Sequence, residues 1–519
     1  MLTNAAVAAT PGAGATRRDL RVPLVTVLGA LLGLAAFLVA RTSLTDDAYI
    51  SLSAARNLAL HGEWSIVEGL TANTSTSPLN VLTLALLTLV TRVWGPGDPL
   101  VALALACIVS AAVVGWALAR IIRTLGITVW WAAGAAVLVI LNPFVTSALG
   151  LEVLLIPAVV LVVVSAGLER RPLLFGVAAG AAVLVRLDLA VVVVVLALFT
   201  PAIRHALVRT AAAFAAVTVP WYLFSWLALG SAIPDTFLIK QGQASDVGGY
   251  GYLDGPIMFF HGDPWMTVAA FGPAVLGVVA LVVASVAGVL RRHGALPGPL
   301  LGLGVAGVAY YAAYVVLDTV PYHWYYVTPL TTLSAFAALA AGYWCTPVAS
   351  RWFRPLAAVT GAALVAAGAG TAWFTVERGV PWTSPPVFGN WASAADYERV
   401  GREVGAIVGD VPVRSPGEIG ALAYYCECHI VDEFSDRGIV VAERLQPRLA
   451  ETDGLARVLL RANYAFLDYE RAPLVPGYAL SYGNGAAPAP SVPGETSWDV
   501  YSEGRGAGHL VLTPLPAAP

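Results

Sequence analysis

The chain has 519 residues, of which 58% are hydrophobic and only 12% charged, and its mean hydropathy is +0.75. An average soluble domain carries roughly 25% charged residues, so this composition, with apolar runs recurring through residue 376, excludes an ordinary soluble protein and reads as a polytopic membrane protein. Basic and acidic residues nearly balance, 29 against 32, and no basic cluster is interleaved with aromatics, which excludes nucleic-acid binding.

Residues 1–21 read as a cytoplasmic tail. Arg17, Arg18 and Arg21 precede the first apolar run, and no convincing small-residue cleavage site follows it, so a retained helix is expected rather than a secretory signal. Arginine pairs then mark one side of the membrane: Arg120 and Arg123, Arg170 and Arg171, Arg204 and Arg209, Arg291 and Arg292, Arg351 and Arg354. Each cluster follows a pair of crossings only if the short apolar segment from about Pro78 to Trp94 lies on or re-enters the outer face. About eleven crossings result, near 22–40, 99–119, 127–146, 149–168, 172–186, 189–203, 209–229, 266–290, 298–317, 325–346 and 355–376. The odd number places the C-terminal part outside the cell, as a multi-pass plasma-membrane topology.

Directly after the first span, in an outer loop covering 41–98, stands the run LTDDAYISLSAARNLALHGEW. Asp46 and Asp47 sit at the membrane edge, where carboxylates are costly unless they have partners or function. Capping of the helix that follows is the structural alternative. Arg56 and Asn57, about three turns along, are expected to face solvent. Glu63 and Glu68 share the loop. Glu152 lies one turn into span four, Arg186 and Asp188 lie between spans five and six, and Asp235 and Lys240 lie in the long fourth outer loop. Lys240 is the sole lysine beside 28 arginines, as expected where a compact ammonium meets a phosphate oxygen, although a headgroup-snorkelling lysine would look the same. Asp318 and His323 precede span ten, His323 in PYHWYY, whose tyrosines, Tyr325 among them, also suit an interfacial aromatic belt.

These polar residues gather at the outer face, where no nucleotide sugar is available. No phosphate-cradling glycine loop occurs either, so an activated substrate is expected to arrive on a lipid carrier. A transporter would instead place ionisable groups near the midplane and show repeats. A wall-assembly scaffold would need neither the acidic pair nor the lone lysine.

From residue 377 to 519 the composition turns soluble. VPVRS, CHIVDEF and NYAFLDY read as strands, WASAADYERVGREVGAIVG and PGEIGALAY as helices, and the Pro- and Gly-rich stretch from Ala472 to Pro493 as loop. A small extracytoplasmic α/β domain is expected, binding an acceptor or covering the site. Cys426 and Cys428 read as two partly buried thiols.

In order along the chain, DDAYISLSAARNLALHGEW, VEG, TSPL, ALGLEVLL, LVRLDL, WLALGSAIPDTFLIK and HWYYVTPL resemble the GT-C superfamily of membrane glycosyltransferases, and within it the B-type actinobacterial cell-wall arabinofuranosyltransferases. The chain departs from that pattern in VEGLTANTSTSPLN, which has extra residues and no aromatic beside TSPL, in VRLDL, which lacks the proline and glycine of a TRPDG-like turn, and in DTFLIK, which replaces NTFYAK. The resemblance implies a GT-C fold and transfer of a sugar, arabinofuranose from decaprenyl phosphate, to an arabinogalactan-like polysaccharide or lipoglycan. The alternative donor is polyprenyl-phosphate mannose. Asp46, favoured for its position nearest the span, or Asp47 would act as base. Arg186, Lys240 and His323 would hold the donor phosphate, and Glu68, Thr76, Ser77, Glu152, Asp188 and Tyr325 would bind substrate or support the site. The acidic pair could also take a divalent cation.

Overall fold

The computed structural model describes residues 20–242, 249–289, 295–349, 351–387 and 389–516. Arg17, Arg18, Arg291 and Arg292 of the topology argument lie outside the described residues. Among the described residues six helices are long and apolar enough to cross a bilayer: Arg21–Ala40, Pro99–Leu125, Leu207–Ala228, Pro264–Val289, Gly298–Leu317 and the helical run Arg351–Glu377. Shorter apolar helices fill four of the five remaining expected segments, at Val129–Ile140, Glu152–Leu168, Pro172–Val185 and Leu187–Leu198, the fifth is the 22-residue helix His323–Trp344, and Pro78–Thr91 is a further short one of 14 residues. The chain is a helical polytopic membrane protein.

Small residues let the helices approach where hydrocarbon offers no hydrophobic drive for association. Arg21–Ala40 packs antiparallel on Pro99–Leu125 so closely that a Cβ at Gly29 would lie 2.2 Å from the Ala111 carbonyl oxygen, and one at Gly115 equally close to that of Val25. This pairing puts Arg21 at the same end of the bundle as Arg120. There Arg120 and Arg171 pair with Glu169. The aspartates stand at the opposite end. At the centre, all of His323–Trp344 except Tyr343 is buried. Two hydroxyls on this helix are satisfied within it: Thr331 donates to the Val327 carbonyl and Thr332 to the Thr328 carbonyl, both at 2.7 Å. A helix enclosed by protein tolerates threonine that a lipid-facing one would not favour.

The C-terminal part builds a five-stranded sheet in the order β2-β1-β3-β5-β4, with β1 Val413–Arg414, β2 Ile430–Val431, β3 Tyr478–Asn484, β4 Thr496–Ser502 and β5 Gly506–Pro514. β1 is parallel to β2 and β3, and β5 pairs antiparallel with β3 and β4. The helices Ala394–Val408 and Gly420–Cys426 pack together beside it. Three expectations are corrected. NYAFLDY is a helix end and turn, because Tyr464 turns inward to pack with Leu238 and Ile239. The stretch from Ala472 contains β3, whose alternation is masked by Gly483 and the small residues Ala479 and Ser481. Cys426 and Cys428 are joined by a disulfide.

Two buried junctions fix this domain to the membrane body. Arg437 donates to Ser231 Oγ (2.6 Å), Asp235 Oδ1 (3.0 Å) and the Leu229 carbonyl, and its Nε lies 2.9 Å from Asp235 Oδ2. Both partners are within 4% of full burial. The second junction is made by Asp46, described below. Removing one member of a buried ion pair leaves an uncompensated charge and costs about 3–5 kcal/mol. Arg437→Met is therefore expected to lower the thermal midpoint of the detergent-solubilised protein, with partial recovery on adding Asp235→Asn; an unchanged midpoint would contradict this junction.

Candidate active site

Asp46 and Asp47 are the first two residues of the helix Asp46–His61, and the turn before it is extended at Thr45. Consecutive helical residues point about 100° apart, so the two carboxylates face different surroundings. Asp46 turns to the C-terminal domain. Its oxygens accept from the backbone N–H groups of Gly420 (2.9 Å) and Ala421 (2.7 Å), the open amides at the start of the helix Gly420–Cys426. Its own N–H donates to Asn390 Oδ1, and Asn390 returns a bond to the Leu44 carbonyl. A Cβ at Gly420 would lie 2.0 Å from the Asp46 carbonyl oxygen, so only glycine permits this approach. The helix-capping alternative thus holds in an altered form: Asp46 caps a helix nearly four hundred residues away in sequence.

Asp47 is half-buried and faces a cavity of about 210 Å³. The same cavity is lined by Thr76, Ser77, Glu152, Arg186, Lys240 and Tyr325 from the expected set, with Trp64, Trp324 and Phe434 among the added walls. Lys240 donates to the Tyr325 hydroxyl at 2.7 Å, and its ammonium stands 5.3 Å from that ring's centroid. Arg186 is held by many partners: Glu152 (2.6 Å), Asp188 (2.6 Å) and the Tyr314 hydroxyl (2.9 Å). Its charge is matched by two carboxylates, which among the described residues of this wall leaves Lys240 as the cation with capacity for an anionic ligand.

The helix that carries Lys240, Thr236–Gly242, is tied down from two sides. Asp235 N–H donates to Asn73 O (2.7 Å), the Thr236 hydroxyl donates to Thr74 O, and Asn73 bonds Ser225 and Ser231. The extra residues in VEGLTANTSTSPLN therefore form the contact between the first loop and the lysine helix.

Besides Asp46, the residue favoured as base, three expected residues are not brought into the cavity. His323 is buried and packs edge-on to Phe144, 6.0 Å between centroids. Glu68 is exposed and pairs with His61 at 3.5 Å. Asp188 stands behind Arg186. Arg56 and Asn57 also do not face solvent: Arg56 reaches the Tyr424 carbonyl and Glu427, and Asn57 is buried against Ser65 and Ile66. Asn390, Arg437 and Phe434 escape sequence reading because they meet the membrane body hundreds of residues away in sequence, and Glu418 because Trp391, Tyr397 and Asp46 converge on it only in the fold.

For a divalent cation the donors do not fit. Both Asp46 oxygens are engaged by amides, Glu152 is paired with Arg186, and Lys240 adds positive charge beside Asp47. Among the described residues no three His, Cys, Asp or Glu side chains gather at metal-binding distance.

Burial pushes the Asp47 carboxyl above the usual carboxylate range; Lys240 pulls it back and Glu152 raises it further. Burial also pushes Asp46 up to about 7 against its backbone bonds, with Asp47 adding to the rise. Glu418 is pushed up to about 8, by burial first and then by Asp46, although it accepts from Tyr397 and the Trp391 N–H. In this window the folded chain holds protons that the unfolded chain has released, so the junction loses stability as pH rises from the ordinary carboxylate range toward these values. Glu418→Gln is expected to raise the thermal midpoint at pH 8 and to flatten its dependence between about pH 5 and pH 8; an unaltered slope would contradict the coupling.

No protein-family model matches the sequence, and no curated protein does. In fold, the chain is similar to the crystal structure of ArnT from Cupriavidus metallidurans bound to undecaprenyl phosphate, with a TM-score of 0.53 and 14% identity, covering 95% of this chain and 98% of that one. At that identity the likeness is one of fold, and it extends over the membrane body and the C-terminal domain together.

Proposed function

We propose that the chain is a GT-C membrane glycosyltransferase that moves a sugar, arabinofuranose, from a polyprenyl phosphate to a cell-envelope polysaccharide on the outer face of the membrane. The observation that carries the reading is the cavity that sets the Asp47 carboxylate opposite the Lys240 ammonium. Acid and cation are the two charges that glycosyl transfer from a lipid phosphate requires. The fold neighbour's bound undecaprenyl phosphate supports a polyprenyl carrier. The disulfide between Cys426 and Cys428 supports an oxidising, extracytoplasmic setting for the domain that closes the site.

The step follows from these roles. Asp47 takes the proton of the acceptor hydroxyl as its oxygen bonds to the anomeric carbon. The bond from that carbon to the phosphate oxygen breaks, and the electron pair leaves on the lipid phosphate. Lys240 holds the growing negative charge, while Arg186, oriented by Glu152 and Asp188, contributes its field to the same wall. Among the described residues Asp46 and Glu152 are engaged elsewhere and leave no second carboxylate free as nucleophile, which supports transfer with inversion of the anomeric centre. A cavity of about 210 Å³ suits a single sugar ring, with the polyprenyl chain lying outside it in the membrane.

The test is transfer of labelled sugar by the purified protein from polyprenyl-phosphate arabinofuranose and, in parallel, polyprenyl-phosphate mannose, to synthetic arabinan and mannan acceptors. Arabinose transfer supports the full reading. Mannose transfer alone overturns the sugar, and no transfer from either donor overturns the proposed chemistry. Lys240→Met is expected to reduce turnover by about 100-fold. It should also move the acidic limb of kcat/KM to higher pH, because the charge that favours ionised Asp47 is gone.

A further inference from the structure

The helix Gly454–Asn463, GLARVLLRAN, has no buried residue. Leu455, Val458 and Leu459 fall at i, i+3 and i+4, one face of the helix, and are 73%, 61% and 62% exposed. Three large aliphatic side chains displayed together on a soluble surface are unfavourable unless something covers them. On the other faces, Arg461 supplies positive charge, Arg457 lies 3.4 Å from Asp453 and donates to the Thr452 and Ala450 carbonyls, and Leu460 packs inward with Tyr464, Leu238 and Ile239.

The position of this helix identifies its cover. The indole N–H of Trp226 donates to the Ala462 carbonyl at 2.8 Å, and Phe466 meets the Trp226 ring edge-on at 5.0 Å. Ala232 and Ile233 N–H groups bond to Asn463. Trp226 lies in the last turn of the span Leu207–Ala228, whose Leu223, Phe224 and Leu227 are about half exposed, as a lipid-facing surface would be. The C-terminal end of the exposed helix therefore meets the rim of that surface, and Phe466 and Phe237, 53% and 64% exposed, extend the same apolar zone.

We propose that Gly454–Asn463 is an interfacial helix, lying in the plane of the bilayer with Leu455, Val458 and Leu459 in the acyl boundary and its arginines among anionic headgroups. Short amphipathic helices with basic flanks bind membranes by these two contributions. The consequence concerns the neighbouring lysine helix: the cluster of Leu460, Tyr464, Leu238 and Ile239 joins the two, so the bilayer surface itself sets the depth of Thr236–Gly242.

The test is independent of catalysis. A nitroxide is placed at Leu459→Cys in the full chain carrying Cys345→Ser, and in a second sample at Asp453→Cys, whose side chain is 94% exposed. Both are reconstituted in nanodiscs of phosphatidylcholine and phosphatidylglycerol. The label at 459 is expected to relax with dissolved oxygen more than with a water-soluble nickel chelate, and the label at 453 the reverse. Adding Leu455→Glu should make the 459 label accessible to nickel. Equal nickel access at both positions would overturn the proposal, as would spin–spin broadening at 459, which would assign the face to a second copy of the chain.

Discussion

Everything at the candidate site depends on one contact, the Asp46 carboxylate seated on the open amides of Gly420 and Ala421. Two backbone N–H bonds and the dipole of the helix they open offset part of the cost of burying this carboxyl group. The contact joins the start of the loop helix to the C-terminal domain at a point where only glycine fits. It thereby fixes the rotation of Asp46–His61, and with it the direction of Asp47. Arg437 and Asp235 do the same for the lysine helix. Each half of the cavity is thus anchored by a buried polar junction to the same domain, which also contributes Phe434 and Gly417 to the cavity wall.

Charge inside the cavity is unevenly committed. Arg186 brings a permanent positive charge to the cavity, yet Glu152, Asp188 and Tyr314 occupy its donors, so it orders the wall more than it offers charge. Lys240 has one hydroxyl partner at 2.7 Å and a nearby carboxylate. A rotatable ammonium retains donors for a phosphate in this position, where a planar guanidinium would have to match a fixed geometry. That difference gives a physical account of why the single lysine stands here.

The membrane character and most helices were legible because a bilayer demands long apolar runs, and the acidic pair was conspicuous against them. The assignment between Asp46 and Asp47 was not legible. Proximity to the first span favoured Asp46, whereas helical geometry sends adjacent side chains in different directions and only the folded domain shows which one it engages. His323 lies in a tyrosine-rich segment at a span end, which reads equally as site or belt; in the fold it packs on Phe144. β3 was missed because YALSYGN carries weak strand signals next to proline and glycine, and its pairing with β5 is supplied from more than twenty residues downstream.

On this account neighbouring aspartates divide the labour, Asp46 holding the domain and Asp47 performing proton transfer. The most direct measurement is turnover and thermal midpoint determined side by side for Asp46→Asn and Asp47→Asn in the same membrane mimetic. The account predicts that Asp47→Asn abolishes turnover with the midpoint retained, and that Asp46→Asn lowers the midpoint while the folded fraction keeps measurable turnover. Full activity in Asp47→Asn, or loss of activity without loss of stability in Asp46→Asn, would contradict it.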